Sequence, residues 1–149
     1  MSETPPVNRL SRLLCLLACC GLPCAGGPAP LAPAINWVAP LFTKDNHRSM
    51  MLRGAKASFP TSSQVVVVDL NLTVFSGDAF NRVETILLSP AATFQPRMNL
   101  AHGDAGVRVI RDDLEATGVH WTYDHAQKKV SLHGGVRIVF NAEITGLLK

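Results

Sequence analysis

The chain has 149 residues, of which 47% are hydrophobic and 17% are charged, and its formal net charge is +3. This length and apolar content allow one hydrophobic core and exclude a disordered chain. The Lys and Arg residues are scattered singly, without interleaved aromatics, so no nucleic-acid-binding surface is indicated. The composition therefore predicts a single globular domain.

Residues 1–24 have the layout of a secretory signal. Arg9 and Arg12 precede an apolar run over residues 13–22, which a stretch rich in Gly, Pro and Ala follows. A membrane-spanning helix needs about 20 apolar residues, and this run is roughly half as long. Export is therefore favoured over a permanent span, with an uncleaved membrane anchor as the alternative.

The cysteines are confined to this N-terminal region, at Cys15, Cys19, Cys20 and Cys24, so we expect no disulfide in the folded domain. Residues 16–19 (LLAC) are similar to a bacterial lipobox, in which Cys19 is lipidated. The alternative is that the cysteines are apolar filler in a cleaved signal. Residues 25–36 are rich in Pro, Ala and Gly and predict a linker, so the folded domain is expected over residues 37–149.

The chain after Trp37 has the pattern of an all-β domain. Val, Ile, Thr and aromatic residues occur in short bursts between clusters of Gly, Pro, Asn, Asp and Ser, and long helical periodicity is absent. The predicted strands cover residues 52–58, 64–75, 82–88, 91–94, 99–102, 106–111, 115–123, 129–133 and 135–144. Turns at residues 124–127 and 133–135 join neighbours into an antiparallel meander.

Alternation along these strands predicts apolar faces. In residues 64–75, Val66, Val68, Leu70, Leu72 and Val74 are expected to share one face. In later strands, Val119, Trp121 and Tyr123 share a face, as do Val136, Ile138 and Phe140. We expect these faces to meet inside the domain.

Two stretches of the chain are nearly the same. HGDAGVRVI at residues 102–110 and HGGVRIV at residues 133–139 align across a short gap. This recurrence predicts one strand-turn-strand unit that is used twice and stacked. Arg108 and Arg137 occupy the same place in the two copies, and we expect both on the outer, solvated face.

Residues 121–124 (WTYD) and 128–140 (KKVSLHGGVRIVF) resemble the recurring rung of the periplasmic lipopolysaccharide-transport proteins of the LptC/LptA (OstA-like) family. Residues 52–57 resemble the opening strand of that family, and residues 101–110 resemble a second rung. The resemblance covers roughly residues 37–148. It implies a β-jellyroll, or β-taco, of stacked antiparallel strands, preceded by the signal or anchor segment.

The resemblance also implies a function. In that family a concave apolar interior holds the acyl chains of lipopolysaccharide, edge strands pair with other Lpt jellyroll proteins, and an inner-membrane ABC transporter supplies the energy. The protein is then expected to be a non-enzymatic periplasmic scaffold that passes lipopolysaccharide toward the outer membrane. Its candidate lipid-binding residues are Val66, Val68, Leu70, Leu72, Val74, Val107, Val109, Trp121, Tyr123, Val136, Ile138 and Phe140.

Other interpretations stay open. The same apolar residues are also what a dry core requires, which is the default for a strand-rich domain. A structural cell-envelope β-sandwich that binds a protein partner and no lipid is the alternative from a different class. For Arg108 and Arg137, contact with lipid phosphates at a rim is the alternative to the solvated outer face. The short N-terminal run leaves open an LptC-like role at the inner membrane and an LptA-like role free of it.

No catalytic, cofactor or metal site is expected from the sequence. The serines lack a G-x-S-x-G elbow, and no cysteine beyond the N-terminal region is available as a nucleophile. The histidines, His47, His102, His120, His125 and His133, lack the spacing of metal ligands. An envelope hydrolase is therefore the least supported interpretation.

Overall fold

A computed structural model describes residues 31–141. They form one antiparallel sheet of eight strands. The strands are β1 (Ala34–Phe42), β2 (Arg48–Thr61), β3 (Gln64–Phe75), β4 (Val83–Gln95), β5 (Leu100–Gly103), β6 (Val107–Ile110), β7 (Leu114–Asp124) and β8 (Lys129–Phe140). The predicted all-β class is confirmed, and β3 has the predicted bounds. The predicted export signal, the four cysteines, most of the predicted linker and the end of the predicted last strand, residues 142–144, lie outside the described residues.

The strands follow one another across the sheet as a meander. β5 and β6 are two halves of one interrupted strand, because both pair with β4 on one side and with β7 on the other. β1 pairs with β2 at one edge, and β8 pairs with β7 at the other. Within the described part of the chain, β1 and β8 therefore each leave one side of their backbone without a neighbouring strand.

Several strands differ from the sequence-based expectation: β1 was not predicted, and β2 extends beyond the predicted residues 52–58 at both ends. β1 begins at Ala34, inside the predicted linker. Pro90 was expected to end a strand, yet β4 continues through it, because the pairing between β3 and β4 skips Pro90 and so needs no N–H there. Residues 133–135 were expected to form a turn, but β8 continues through Gly135, whose φ of 56° bends the strand without ending it.

The long strands share an irregularity at one level of the sheet, which we call the fold line. There, two consecutive residues point outward, so the alternation of inward and outward side chains shifts by one position. The outward pairs are Ala55 and Lys56 in β2, Val68 and Asp69 in β3, Pro90 and Ala91 in β4, and Val119 and His120 in β7. Asp69 and His120 adopt left-handed backbone angles, with φ of 54° and 52°.

The sheet doubles back at the fold line. The register places the end of β7 beside Leu100, and Leu100 beside Gln95 at the end of β4. In a flat sheet, Lys128 just after β7 would lie about 35 Å from Glu84 at the start of β4, since strands rise about 3.3 Å per residue. Their side chains instead meet, with Lys128 Nζ 2.7 Å from Glu84 Oε2. Each long strand therefore contributes to two facing layers.

The space between the layers holds a single core. Its largest fully buried side chains are Trp121, Tyr123, Met50, Leu52, Leu72, Leu87, Val67 and Val74. Because these residues come from both sides of the fold line and from central strands, the two layers pack directly on each other.

The shift at the fold line corrects two of the predicted apolar faces. Val66 and Val68 are 38% and 42% exposed, and Val65 and Val67 take the inward positions in their place. Val119 lies outside, although Trp121 and Tyr123 are buried. The predicted alternation with a period of two holds on one side of Asp69 and on one side of His120, but not across them. Each of these left-handed residues turns the following side chain to the other face of the sheet.

Candidate functional site

The two copies of the repeated sequence flank β7 on opposite sides in the same register. Ala116 pairs with Val109 of the first copy and with Ile138 of the second. The glycines of both copies lie at the fold line, where Gly103 ends β5 and Gly135 bends β8. The chain does not reverse direction in either copy, as a hairpin turn would require: residues 104–106 interrupt the first copy between β5 and β6, and β8 continues through the second. Each copy crosses between the layers, and its glycines lie at the crossing.

The arginines of the two copies lie on the outer face of the sheet. Arg108 donates two hydrogen bonds to Glu115, with Nε 2.7 Å from Oε1 and Nη2 2.9 Å from Oε2. The hydrogen bond from Arg108 lowers the pKa of Glu115, and the charge of Arg137 lowers it further. Because Arg108 and Arg137 both pair with Thr117 across the ladder, they form an outer cluster away from the core.

A cavity of about 350 Å³ opens between the layers beside β8, and we call it the apolar groove. It is lined by Val109, Leu114, Ala116, Val130, Leu132, Val136 and Ile138, together with Thr85, Arg111 and Lys128. Val136 and Ile138 are about half exposed, at 48% and 49%, because β8 is an edge strand. The groove therefore extends from the closed core to the surface of the domain.

A second cavity, of about 560 Å³, adjoins the groove, and we call it the polar cleft. The two cavities share Thr85, Arg111 and Lys128 as lining residues. The rest of the cleft is lined by Val74, Arg82, Val83, Glu84, Asp112, Asp113 and Tyr123. An apolar compartment thus continues directly into a charged one, with two cations at the boundary.

The two cations that line both cavities, Lys128 and Arg111, have carboxylate partners at different distances. The ion pair between Lys128 and Glu84 is short, at 2.7 Å. Arg111 Nε lies 3.5 Å from Asp113 Oδ1, and both side chains are at least half exposed. Exposed ion pairs contribute little to stability, so both cations are able to exchange partners.

Tyr123 closes the core where it meets the polar cleft. Its hydroxyl shares a hydrogen bond of 2.9 Å with Nδ1 of His125. Burial raises the pKa of Tyr123, and the charges of Glu84 and Asp124 raise it further. Burial also lowers the pKa of His125, assisted by Lys128 and opposed by Asp124. The tyrosine and histidine are therefore both neutral at pH 7. The hydrogen-bonded pair that covers this end of the core carries no charge.

The candidate lipid-binding residues fall into three groups. Val109, Val136 and Ile138 line the apolar groove. Leu70, Leu72, Val74, Val107, Trp121 and Tyr123 are buried in the core, where Val74 and Tyr123 border the polar cleft, while Val66, Val68 and Phe140 are exposed outside it. The structure also adds Leu114, Val130 and Leu132 to the lining. Of these, Val130 and Leu132 were detectable as an alternating pair at the start of the last strand.

No protein-family model matches the chain, and no curated protein matches it either. Among residues 31–141, no helix is long and apolar enough to cross a membrane. In the same residues, no three His, Cys, Asp or Glu side chains gather where they could hold a metal ion.

Proposed function

We propose that the protein is a periplasmic scaffold that binds lipid and carries acyl chains of lipopolysaccharide in the apolar groove. The observation that carries this proposal is an apolar cavity between two layers of a folded antiparallel sheet, open to the surface beside β8. Concave apolar sites with a few polar groups at one end are typical of ligand-binding pockets. The rung-like residues 121–124 and 128–140 support the same function, because they form both walls of the hairpin beside the groove.

The volume of the groove limits what it holds at one time. A water-sized group takes about 30 Å³, and a methylene is of similar size, so about 350 Å³ corresponds to one chain of about twelve carbons. The neighbouring core is closed, since Leu72 is 0% and Trp121 is 1% exposed. The core beside Leu72 and Trp121 therefore offers no room for a second acyl chain.

The sheet edges suit the transfer of lipid to a neighbouring protein. In the described residues, the outer sides of β1 and β8 present backbone N–H and C=O groups without a strand partner. Such edges recruit further strands by β-augmentation. Pairing with other Lpt jellyroll proteins would extend the groove from one domain to the next, and the inner-membrane ABC transporter would supply the energy.

The second candidate is a structural cell-envelope β-sandwich that binds a protein partner and no lipid. It is favoured by the apolar side chains that β1 exposes, where Ile35, Val38 and Phe42 are more than half accessible to solvent. Contiguous exposed apolar side chains are typical of protein interfaces. The two candidate functions use different binding surfaces, because β1 lies at the opposite edge of the sheet from the groove.

We expect Ile138→Asp to reduce bound lipopolysaccharide at least about tenfold, because an aspartate in an apolar cavity must give up its hydration when an acyl chain enters. The control is Val66→Asp, which places the same charge on the outer face, where Val66 is 38% exposed. Lipid is measured by mass spectrometry of the protein purified from the periplasm of a Gram-negative host. Wild-type protein and Val66→Asp are expected to carry lipopolysaccharide.

Two outcomes would contradict the carrier proposal. One is wild-type protein that purifies with a protein partner and without lipid, which is the result expected of the structural β-sandwich. The other is an Ile138→Asp variant that retains lipid at the wild-type level. Circular dichroism of each variant establishes that the sheet is intact.

A further inference from the structure

We infer that the apolar groove selects amphiphiles whose alkyl or acyl chain is joined to an anionic head group, which Arg111 and Lys128 contact where the groove meets the polar cleft. The inference rests on the proposed function, since it assigns the chemistry and the orientation of the ligand in the same groove. The shared chemistry is an acyl chain with a phosphate or carboxylate at its head.

The distribution of charge between the two cavities supports this orientation. Of the described residues that line the groove, the charged ones are Arg111 and Lys128, and both are cations. The carboxylates Glu84, Asp112 and Asp113 line the polar cleft and are not part of the groove lining. A chain that fills the groove therefore meets Arg111 and Lys128 as its charged lining residues, while their carboxylate partners Asp113 and Glu84 line the polar cleft.

Lys128 is positioned to change partners. Its ammonium lies 2.7 Å from Glu84 Oε2 and 3.5 Å from the carbonyl oxygen of Phe75. The lysine and glutamate side chains are 44% and 42% exposed, so the ion pair is solvated and weak. An incoming phosphate or carboxylate replaces Glu84 without leaving a buried charge unpaired.

Arg111 provides the second contact for the anion. Its guanidinium makes one long approach to Asp113, at 3.5 Å, which leaves most of its five N–H donors available. Guanidinium groups bind phosphate and carboxylate with paired, charge-assisted hydrogen bonds. The polar cleft beyond, of about 560 Å³, has room for the remainder of a head group.

The test is the binding of three twelve-carbon amphiphiles below their micellar concentrations, measured by isothermal titration calorimetry. Dodecyl phosphate and dodecanoate are anionic, and dodecyl maltoside is neutral. We expect the wild-type protein to bind both anions about tenfold more tightly than the maltoside. The ratio of the affinities for dodecyl phosphate and dodecanoate shows whether the site prefers a phosphate or a carboxylate head group.

Variants assign the preference to individual residues. The double variant Arg111→Gln with Lys128→Gln is expected to bind all three amphiphiles equally, at the affinity of the maltoside. The control Lys56→Gln changes an exposed lysine on the outer side of β2 and is expected to keep the preference for anions. Glu84→Gln removes the carboxylate partner of Lys128. It is expected to raise the affinity for both anionic amphiphiles about threefold and to leave the affinity for the maltoside unchanged.

The outcomes separate this inference from the proposed function. Equal affinities in the wild-type protein, or a double variant that still prefers anions, would overturn the inference and leave lipid binding intact. A Glu84→Gln variant that weakens all three ligands would show that the ion pair only holds the fold together, and would also overturn it. If none of the three amphiphiles binds, the groove is not a lipid site and the proposed function fails as well.

Discussion

Replacing Trp121 by alanine is expected to lower the free energy of unfolding by about 4 kcal/mol, the range in which large buried aromatics fall. Trp121 is 1% exposed and is among the largest fully buried side chains between the two layers. It directly follows the fold line in β7, so its removal leaves a cavity where the layers pack on each other. The measurement is urea unfolding followed by circular dichroism.

Two matched variants show which property of Trp121 matters. Its Nε1 is buried and has no hydrogen-bond partner among residues 31–141, so Trp121→Phe removes an unsatisfied donor and is expected to cost no more than about 1 kcal/mol. Trp37→Ala removes a partly buried indole on the edge strand β1 and is expected to cost about 2 kcal/mol. Equal losses for Trp121→Phe and Trp121→Ala would contradict this expectation, because the phenyl ring retains most of the buried apolar contact that alanine loses.

The substitution Gly103→Ala is expected to cost about 3 kcal/mol, at the upper end of the range for overpacking. A β-carbon at Gly103 would lie 2.8 Å from the carbonyl oxygen of Ala91 and 2.8 Å from Nε1 of Trp121. Neither atom is free to retreat, because one belongs to the backbone of a central strand and the other to a ring enclosed by the core. Gly103 is needed because strand and indole approach each other closely at the fold line.

The matched control is Gly106→Ala, in the same copy of the repeat. The nearest atom to a β-carbon at Gly106 is the carbonyl oxygen of Gly118, at 4.0 Å. Alanine there meets no obstacle and restricts the unfolded chain, so the free energy of unfolding is expected to stay the same or to rise by about 0.5 kcal/mol. If both alanine variants lose stability equally, the close approach at Gly103 is not the cause.

The sequence predicts local features of this fold well. The bounds of β3 and the inward positions of Leu70, Leu72 and Val74 follow from simple alternation after Asp69. Before Asp69 there are four valines in a row, which show no alternation at all. The choice of Val65 and Val67 as the inward pair depends on the left-handed backbone at Asp69, and an aspartate within an apolar strand does not reveal that conformation by itself.

The candidate site was only partly predictable for the same reason. Val136 and Ile138 were expected in the groove because they alternate along the last strand. Val130 and Leu132 face them only because β8 bends at Gly135 and the strands double back. The glycines of residues 133–135 indicate an irregularity in the strand. The same pattern fits a turn that starts a new strand and a bend within one continuous strand, so the sequence does not distinguish them. Contacts between the two layers join residues far apart in the sequence, so local periodicity does not predict them.

Photo-crosslinking from β8 tests most directly whether acyl chains occupy the apolar groove. A photoreactive amino acid is placed at Ile138 in the groove, at Leu72 in the closed core, or at Val66 on the outer face. In cells that export lipopolysaccharide, we predict a lipid crosslink from position 138 and none from positions 72 and 66. A crosslink to protein alone from position 138, or lipid captured equally from position 66, would contradict the proposed function.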